Sequence, residues 1–359
     1  MPKQSHAAGR RDCFASLAMT LMMRQKPRRT QSIMPATICR RRSLALALGG
    51  VAFAALPAAA QSWPTRPIRA IVPFGAGSTP DLIMRLIADD LKDTLGQSVL
   101  VENKPGASGN LGTDAVAKAE PDGYTIGISI GGPLALNPLL FDKMSYDPQK
   151  DLAFVTMLTS QPSALAVNTG LGVDSVAALV ALLKQNPGKY NFGSIGVGSL
   201  SHLAMEAVAL KSGTRIVHVP YPSSPAAVTA LIRNDVQMAC LPAISVTPQA
   251  AAGKIKILAI TTAQRSALLP GIPTLKEVGV DVEADAWNGL IAPARIPEPV
   301  LTALRRVVVH ALNTPAIRAK LAAQIMEPLP TTSEQFRARI AADIARWKPV
   351  IAAVNIKVN

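Results

Sequence analysis

The sequence has few cysteines and few aromatic residues. The three cysteines are Cys13, Cys39 and Cys240, and we expect the first two to be removed with an N-terminal segment described below. A mature monomer with one cysteine can form neither an internal disulfide nor a metal site of the cysteine type. Aromatic residues make up 4% of the chain, but hydrophobic residues as a whole make up 49%, which is enough for one large or two medium domains.

The mature part of the chain also lacks a cluster of positive charge. The formal net charge of the whole sequence is +14, but residues 1–60 alone carry +9. The rest of the chain has 27 Lys and Arg against 22 Asp and Glu, and these charges are scattered along it. We therefore expect no nucleic-acid partner.

The apolar run Leu44–Leu56 is too short to span a bilayer. Arginines at 40–42 precede it and three alanines end at Ala60, an order typical of a secretory signal peptide. We expect cleavage near Ala60 and a mature protein in the periplasm. The paired arginines leave Sec and twin-arginine export both open. Because Met34 could start a signal peptide of ordinary length, we expect residues 1–33 to contribute nothing to the fold.

From Gln61 onward, strands alternate with helices, which predicts an α/β fold with mainly parallel sheets flanked by helices. Asp174 is expected to cap one helix, and Thr332 with Gln335 forms a capping box at the start of the last one. The chain beyond Trp287 is predicted to be helical. Ligands of such sheets bind where strands turn into helices.

A turn of this kind follows the first strand, at residues 75–79. Pro80 suits the first turn of the next helix, because its missing N–H would have had no partner there. The free N–H groups of such a helix start can meet an anion. A second Gly/Ser-rich turn, at 193–199, has the same position in the other half of the chain. We therefore expect a cleft for a small anion between two lobes.

Two enzyme-like motifs offer other interpretations. Gly75-x-Gly77 mimics a dinucleotide-binding fingerprint, but Pro80 stands where the third glycine is needed. The residues around Ser129 match G-x-S-x-G, so a secreted α/β hydrolase that uses Ser129 remains an alternative function. That motif needs a helix directly after the serine, and we expect Gly132 and Pro133 to oppose one. A strand that ends in a glycine turn is the simpler interpretation.

The mature chain, from residue 63 to the end, resembles the extracytoplasmic solute receptors of tripartite tricarboxylate transporters, known as Bug-type receptors. The resemblance rests on blocks that occur in one order: WPTRPIRAIVPF (63–74), VENKPGASGNLG (101–112), PDGYT (121–125), NFGSIGVGSLSHL (191–203) and VHVPY (217–221).

The resemblance implies a two-lobed type II periplasmic binding protein fold. Lobe 1 would comprise residues 61–160 with 284–359, and lobe 2 residues 161–283. The implied function is capture of a small carboxylate in the cleft between the lobes and delivery to the membrane permease of a tripartite transporter, or alternatively to a sensor. The implied protein is a monomer without a cofactor, a metal or an enzymatic activity.

Carried over by position, the resemblance implies a ligand carboxylate between the 75–79 and 129–133 turns of lobe 1, with the 194–199 turn and Tyr221 of lobe 2 covering it. Backbone N–H groups can bind a carboxylate there without a buried arginine. The predicted ligand-binding residues are Phe74, Gly77, Ser78, Thr79, Asp81, Ser129, Gly131, Gly132, Ser194, Gly196, Ser199, His202, Tyr221 and Cys240.

Some of these residues have an equally simple structural interpretation. Asp81 could serve only as an acid at a helix start, and His202 as a packing or capping residue. Trp287, which is not in this set, is expected in the core rather than on the cleft wall. Cys240 stands where the resembling proteins often have an aspartate. The loss of that charge predicts a monocarboxylate or dicarboxylate ligand without an ammonium group.

Overall fold

The structure is a computed structural model that describes residues 63–357, so the predicted signal peptide lies outside the described residues. Its strands are β1 Ile68–Val72, β2 Val99–Asn103, β3 Thr125–Ile130, β4 Leu152–Gln161, β5 Ser163–Asn168, β6 Asn191–Ser194, β7 Val217–Pro220, β8 Met238–Pro242, β9 Ile255–Ile260, β10 Ala286–Pro293 and β11 Glu327–Pro328. Its helices are α1 Thr79–Leu95, α2 Asn110–Ala117, α3 Asn137–Leu140, α4 Val176–Gln185, α5 Leu200–Ser212, α6 Ser224–Arg233, α7 Ala243–Ala251, α8 Glu298–Asn313, α9 Pro315–Ala322 and α10 Ser333–Val354. Across residues 63–357, no helix is both long and apolar enough to cross a membrane.

The strands form two sheets, in the orders β11-β4-β10-β3-β1-β2 and β7-β6-β8-β5-β9. The predicted α/β class, with helices on both sheets, is confirmed. The sheets are mixed, however, because β10 pairs antiparallel with both β3 and β4, and β5 pairs antiparallel with both β8 and β9. These two strands follow the points where the chain passes from one sheet to the other, so they enter the new sheet against its prevailing direction.

Several local expectations are confirmed and several are wrong. Thr332 and Gln335 form the predicted capping box of α10. Ser175, rather than Asp174, caps α4, because the Ser175 Oγ reaches the N–H of Ala178. The chain beyond Trp287 first continues as strand β10, whose apolar residues fill a buried position between β3 and β4. A fully buried strand has no polar alternation, which explains why the sequence did not reveal it.

Residues 131–140 are helical, contrary to the expectation that Gly132 and Pro133 oppose a helix there. A π-helical turn from Gly132 to Leu136 leads directly into α3. Pro133 lies at the start of this segment, where a missing N–H costs no hydrogen bond.

Here, lobe 1 denotes the first sheet with its helices and lobe 2 the second sheet with its helices. The last helix packs into the apolar cores of both. Near its start, Phe336 and Ile340 contact the cluster that contains Phe154 of β4. Two to three turns later, Trp347 and Val350 belong to the core of the second sheet. The helix thus connects the lobes along one side, next to the crossing strands. Gly289 of β10 lies directly under the Phe336 ring, where a Cβ atom would overlap it.

Candidate functional site

A cavity of about 460 Å³ lies between the two sheets. Lobe 1 contributes the start of α1 and the helical segment after β3, and lobe 2 contributes the loop between β6 and α5. The start of β10 and the middle of α10 complete the wall. The volume is within the range of small-molecule sites, which run from about 300 to 1,000 Å³.

The lobe-1 turn, residues 75–79, is held in place by Asp81. The buried Asp81 carboxylate accepts hydrogen bonds from the Gly77 N–H at 2.9 Å, from Arg85 Nε at 3.0 Å and from Asn103 Nδ2 at 2.9 Å. Asn103 Nδ2 also donates to the Phe74 carbonyl oxygen, at 2.9 Å. Burial acts to raise the pKa of the Asp81 carboxyl, but these hydrogen bonds outweigh it and hold the pKa below its usual range. Asp81 is therefore an anchor for the turn and does not line the cavity.

Ser78 occupies the N-cap position of α1 without acting as a cap. Its side chain makes no capping hydrogen bond, and its buried Oγ has no partner among the described residues. Ser78 and Thr79 both line the cavity. The N–H of Thr79 has no carbonyl acceptor within α1, as at every helix start. The wall therefore offers a hydroxyl and a backbone N–H.

The lobe-2 turn, residues 194–199, is held by its own hydroxyl groups and by one serine just beyond it. Ser199 caps α5 by accepting from the His202 N–H at 3.3 Å, and its Oγ donates to the Gly196 carbonyl oxygen at 2.6 Å. Ser194 Oγ accepts from the Gly196 N–H at 3.1 Å. Ser201 Oγ accepts from the Ile195 N–H at 3.0 Å. Most of the polar groups of this turn are thus already used within it.

Two stacked histidines form hydrogen bonds with the lobe-2 turn. The rings of His202 and His218 are 3.7 Å apart and nearly parallel. His202 Nδ1 accepts from the Gly198 N–H at 3.1 Å, and His218 Nε2 lies 2.6 Å from Ser194 Oγ. Burial, reinforced by the neighbouring His202, lowers the pKa of His218 to about 4. His218 is therefore neutral at ordinary pH.

The back of the cavity is formed by Trp287 and Asn288 of β10. Trp287 is buried and also lies on the cavity wall, so it satisfies both interpretations left open by the sequence. Its ring packs against Gly131, and its Nε1 donates to Asp343 Oδ2 at 2.7 Å. Asn288 Nδ2 bonds to Thr159 Oγ1 at 3.1 Å, whereas its buried Oδ1 has no partner among the described residues.

A group of charged residues, here called the charged cluster, borders the cavity on the side of α10. It consists of Glu283, Asp285, Arg339, Asp343 and Arg346. All of them except Glu283 line the cavity. Burial raises the pKa of Asp343, although the arginines and Trp287 act against this.

No sequence motif singles out this cluster, and none of its five residues is among the predicted ligand-binding residues. Arg339, Asp343 and Arg346 lie at positions i, i+4 and i+7 on one face of α10, and this spacing is the signal that the sequence offers.

The structure brings six of the predicted site residues to the cavity wall: Phe74, Ser78, Thr79, Gly131, Gly132 and Ser199. The others lie behind the wall or away from it: Gly77, Asp81, Ser129, Ser194, Gly196, His202, Tyr221 and Cys240. Cys240 is fully buried among apolar residues of lobe 2, and burial raises the pKa of its thiol to about 12. The Tyr221 ring packs near Gly193, on the far side of the turn.

Ser129 is also placed away from the cavity. It is fully buried in β3, and its Oγ bonds to Thr113 Oγ1 at 3.1 Å. His202 and His218 belong to lobe 2, where they contact each other and the lobe-2 turn. Ser129 therefore lacks the exposure that a nucleophile requires, and within residues 63–357 its hydroxyl is paired with Thr113 rather than with a base.

The family model described as the tripartite tricarboxylate transporter family receptor matches residues 83–356. Among curated proteins, Protein BugT of Bordetella pertussis is 36% identical over 85% of this chain and 94% of its own length. A Rhodopseudomonas palustris protein solved with adipate is 34% identical, with a TM-score of 0.72, over 82% of this chain and 99% of that one. MatC from the same organism, solved with bound malate, is 28% identical, with a TM-score of 0.67, over 80% of this chain and 99% of that one. The family model covers 274 residues, and the matches span nearly the full length of these relatives. This chain therefore belongs to the tripartite tricarboxylate transporter receptor family.

Proposed function

We propose that this protein is an exported receptor that binds a small organic carboxylate between its lobes and delivers it to the permease of a tripartite tricarboxylate transporter. The observation that carries the proposal is the cavity itself, which is bordered by both turns and lined by Ser78, whose buried hydroxyl has no partner among the described residues. Relatives solved with adipate and malate support a carboxylate as the ligand class.

The carboxylate would bind at the lobe-1 turn. Ser78 Oγ and the Thr79 N–H supply hydrogen-bond donors, and hydrogen bonds to an ionised acceptor are about twice as strong as neutral ones. The positive end of the α1 dipole favours the same charge. The segment at Gly131 and Gly132 borders the same space from the adjacent strand.

Ligand contacts to both turns would favour the closed arrangement of the lobes, because only that arrangement allows them simultaneously. The permease would then recognise the closed form. We further propose that the mature protein acts in the periplasm as a monomer, after signal-peptide cleavage near Ala60, and that binding is reversible and involves no covalent chemistry.

Thermal unfolding of the mature chain with a panel of small carboxylates and their amides tests this proposal. A ligand at about 100 times its Kd stabilises by about 2.7 kcal/mol, which raises Tm by a few degrees. At least one acid should raise Tm while its amide does not, because the amide lacks the charge. Equal shifts for acid and amide, or no shift with any acid, would contradict the proposal.

A further inference from the structure

The charged side chains that border the cavity are already paired with one another. Arg339 Nη2 lies 2.6 Å from Asp285 Oδ1, and its Nε lies 3.1 Å from Asp343 Oδ1. Arg346 Nη1 lies 2.7 Å from Asp343 Oδ1, and its Nη2 lies 3.1 Å from Glu283 Oε1. Both guanidinium groups of the cavity wall are thus engaged by carboxylates of the protein.

This pairing leaves no positive charge for a second carboxylate of a ligand. The charged cluster has two guanidinium groups against three carboxylates, and no lysine or histidine of residues 63–357 lines the cavity. A second carboxylate on this side of the cavity would have to compete with the carboxylates that already engage the arginines, or rely on neutral donors next to the like charges of Asp285 and Asp343, and both are unfavourable in a partly buried site.

The cluster is equally poor at holding an ammonium group. Asp285 Oδ2 accepts from Ser160 Oγ at 2.8 Å, and Asp343 Oδ2 accepts from Trp287 Nε1 at 2.7 Å. Since their other oxygens contact arginines, all four carboxylate oxygens on the cavity wall have partners. The remaining acid, Glu283, does not line the cavity.

The rest of the wall is largely apolar. Val197 and Ile195 of the lobe-2 turn belong to the exposed large hydrophobic residues of the structure, with 52% and 36% exposure, and both face the cavity. Leu136, Leu140 and Trp347 line it from the other elements. Covering exposed apolar side chains with the apolar surface of a ligand lowers the free energy of the complex.

We infer that the ligand is an amphipathic monocarboxylate: one carboxylate at the lobe-1 turn, and an uncharged apolar body, alkyl or aryl, against Val197, Leu136 and Leu140. The inference rests on the proposed function, because it assumes that the cavity binds a carboxylate. It narrows the ligand class that the sequence left open between mono- and dicarboxylates. It also separates this chain from the relatives solved with adipate and malate.

Isothermal titration of the mature protein with matched acids tests the inference. Hexanoate should bind at least about tenfold more tightly than adipate, and 3-phenylpropanoate more tightly than phenylalanine. From butanoate to hexanoate, each added methylene should tighten binding about fourfold, the equivalent of about 0.8 kcal/mol. If adipate binds as tightly as hexanoate, or phenylalanine as tightly as 3-phenylpropanoate, the inference is overturned and the proposed function still stands. Failure of every acid to bind would overturn both.

Val197→Thr tests the apolar wall without disturbing the core, because Val197 is about half exposed. The variant should weaken hexanoate binding several-fold, because the alkyl body loses an apolar contact. Val217→Thr is the matched control, since Val217 is similarly exposed, at 45%, and does not line the cavity. Unchanged hexanoate affinity in Val197→Thr, or an equal loss in both variants, would contradict contact between Val197 and the ligand body.

Glu283→Gln tests the argument from charge pairing. The substitution removes one carboxylate partner of Arg346 without touching the cavity wall. The preference for hexanoate over adipate should shrink at least threefold, because the guanidinium becomes more available to a second carboxylate. Glu277→Gln, which changes an exposed ion pair with Arg265, serves as the control. A preference equal to that of the unmodified protein would show that the paired arginines are not what excludes a diacid.

Discussion

The two turns that border the cavity are built in opposite ways. The lobe-2 turn is held by Ser194 and Ser199 of its own sequence, each of which bonds to the Gly196 backbone. The lobe-1 turn is held from the following helix by the Asp81 carboxylate. Its own serine, Ser78, has no partner within the described part of the chain.

The difference shows how similar Gly/Ser-rich turns can have different roles. The Ser199 hydroxyl has used its hydrogen on the Gly196 carbonyl oxygen, whereas the Ser78 hydroxyl has no partner among the described residues and can donate to a ligand. We therefore expect the lobe-1 turn to supply side-chain donors to the carboxylate. The lobe-2 turn supplies a rigid surface with Ile195 and Val197 on it.

The largest effect is expected from removing the anchor of the lobe-1 turn. In Asp81→Asn, the Gly77 N–H, Arg85 and Asn103 lose a shared charged acceptor. Hydrogen bonds to charged groups contribute about 1.5–3 kcal/mol each, and one side-chain oxygen remains, so we expect a loss of about 3 kcal/mol in unfolding free energy. Urea denaturation measures this loss. Carboxylate affinity should fall as well, because the turn loses its fixed geometry.

Asp93→Asn is the matched control, because Asp93 is an exposed acid on the same helix and should be neutral within about 0.5 kcal/mol. The pH dependence gives a second check. Since the folded pKa of Asp81 is depressed, its contribution is present above the unfolded value of 3.8 and is lost as pH falls below it. Equal stability of Asp81→Asn and the unmodified protein at pH 7 would disprove the anchoring role.

The sequence indicated where these turns lie, because glycine, proline and capping signals are local. The start of α1 at Thr79 and the capping box at Thr332 followed from such signals. The different roles of the two turns could not be predicted in this way. They depend on the contact between Asp81 and Asn103, and Asn103 lies on the neighbouring strand β2. His202 and His218 likewise meet only through the pairing of β6 with β7.

The charged cluster shows the same limit on a larger scale. Asp285 precedes β10, whereas Arg339 lies 54 residues further along the chain, and they meet only because α10 packs across both lobes. Local patterns cannot anticipate contacts between segments so far apart. Cys240 is a further example. It is a predicted ligand-binding residue because the resembling proteins often have an aspartate there, but its side chain lies in the apolar core.

The second prediction separates binding from folding at the lobe-1 turn. Ser78→Ala removes a hydroxyl that caps nothing, so the unfolding free energy should change by less than about 0.5 kcal/mol. Affinity for the best carboxylate should fall at least about tenfold, because a hydrogen bond to a charged group is lost. Calorimetric titration measures the affinity. Unaltered affinity would remove Ser78 from the binding site.

The third prediction makes the opposite change in the lobe-2 turn. Ser199→Ala deletes the N-cap of α5, which should lower the unfolding free energy by about 1 kcal/mol. Affinity should fall less than in Ser78→Ala, because Ser199 holds the turn and is not expected to donate to the ligand. Ser175→Ala deletes the comparable cap of α4, away from the cavity, and should cost similar stability without any loss of affinity. A larger affinity loss in Ser199→Ala than in Ser78→Ala would reverse the roles assigned to the two turns.

The smallest effect is expected from the histidine pair behind the lobe-2 turn. Unfolded His218 takes up a proton near its ordinary pKa of 6.5, whereas folded His218 does so only near 4. Between these values the unfolded state binds more protons, so stability should fall as pH falls from about 6.5 to about 4. The ring is only partly buried, so solvent screening keeps the effect small. His218→Gln should show a shallower decrease over this interval in urea denaturation series, whereas His310→Gln, an exposed position on α8, should leave the slope unchanged. If the slope is identical in His218→Gln, His218 does not contribute to the pH dependence of stability.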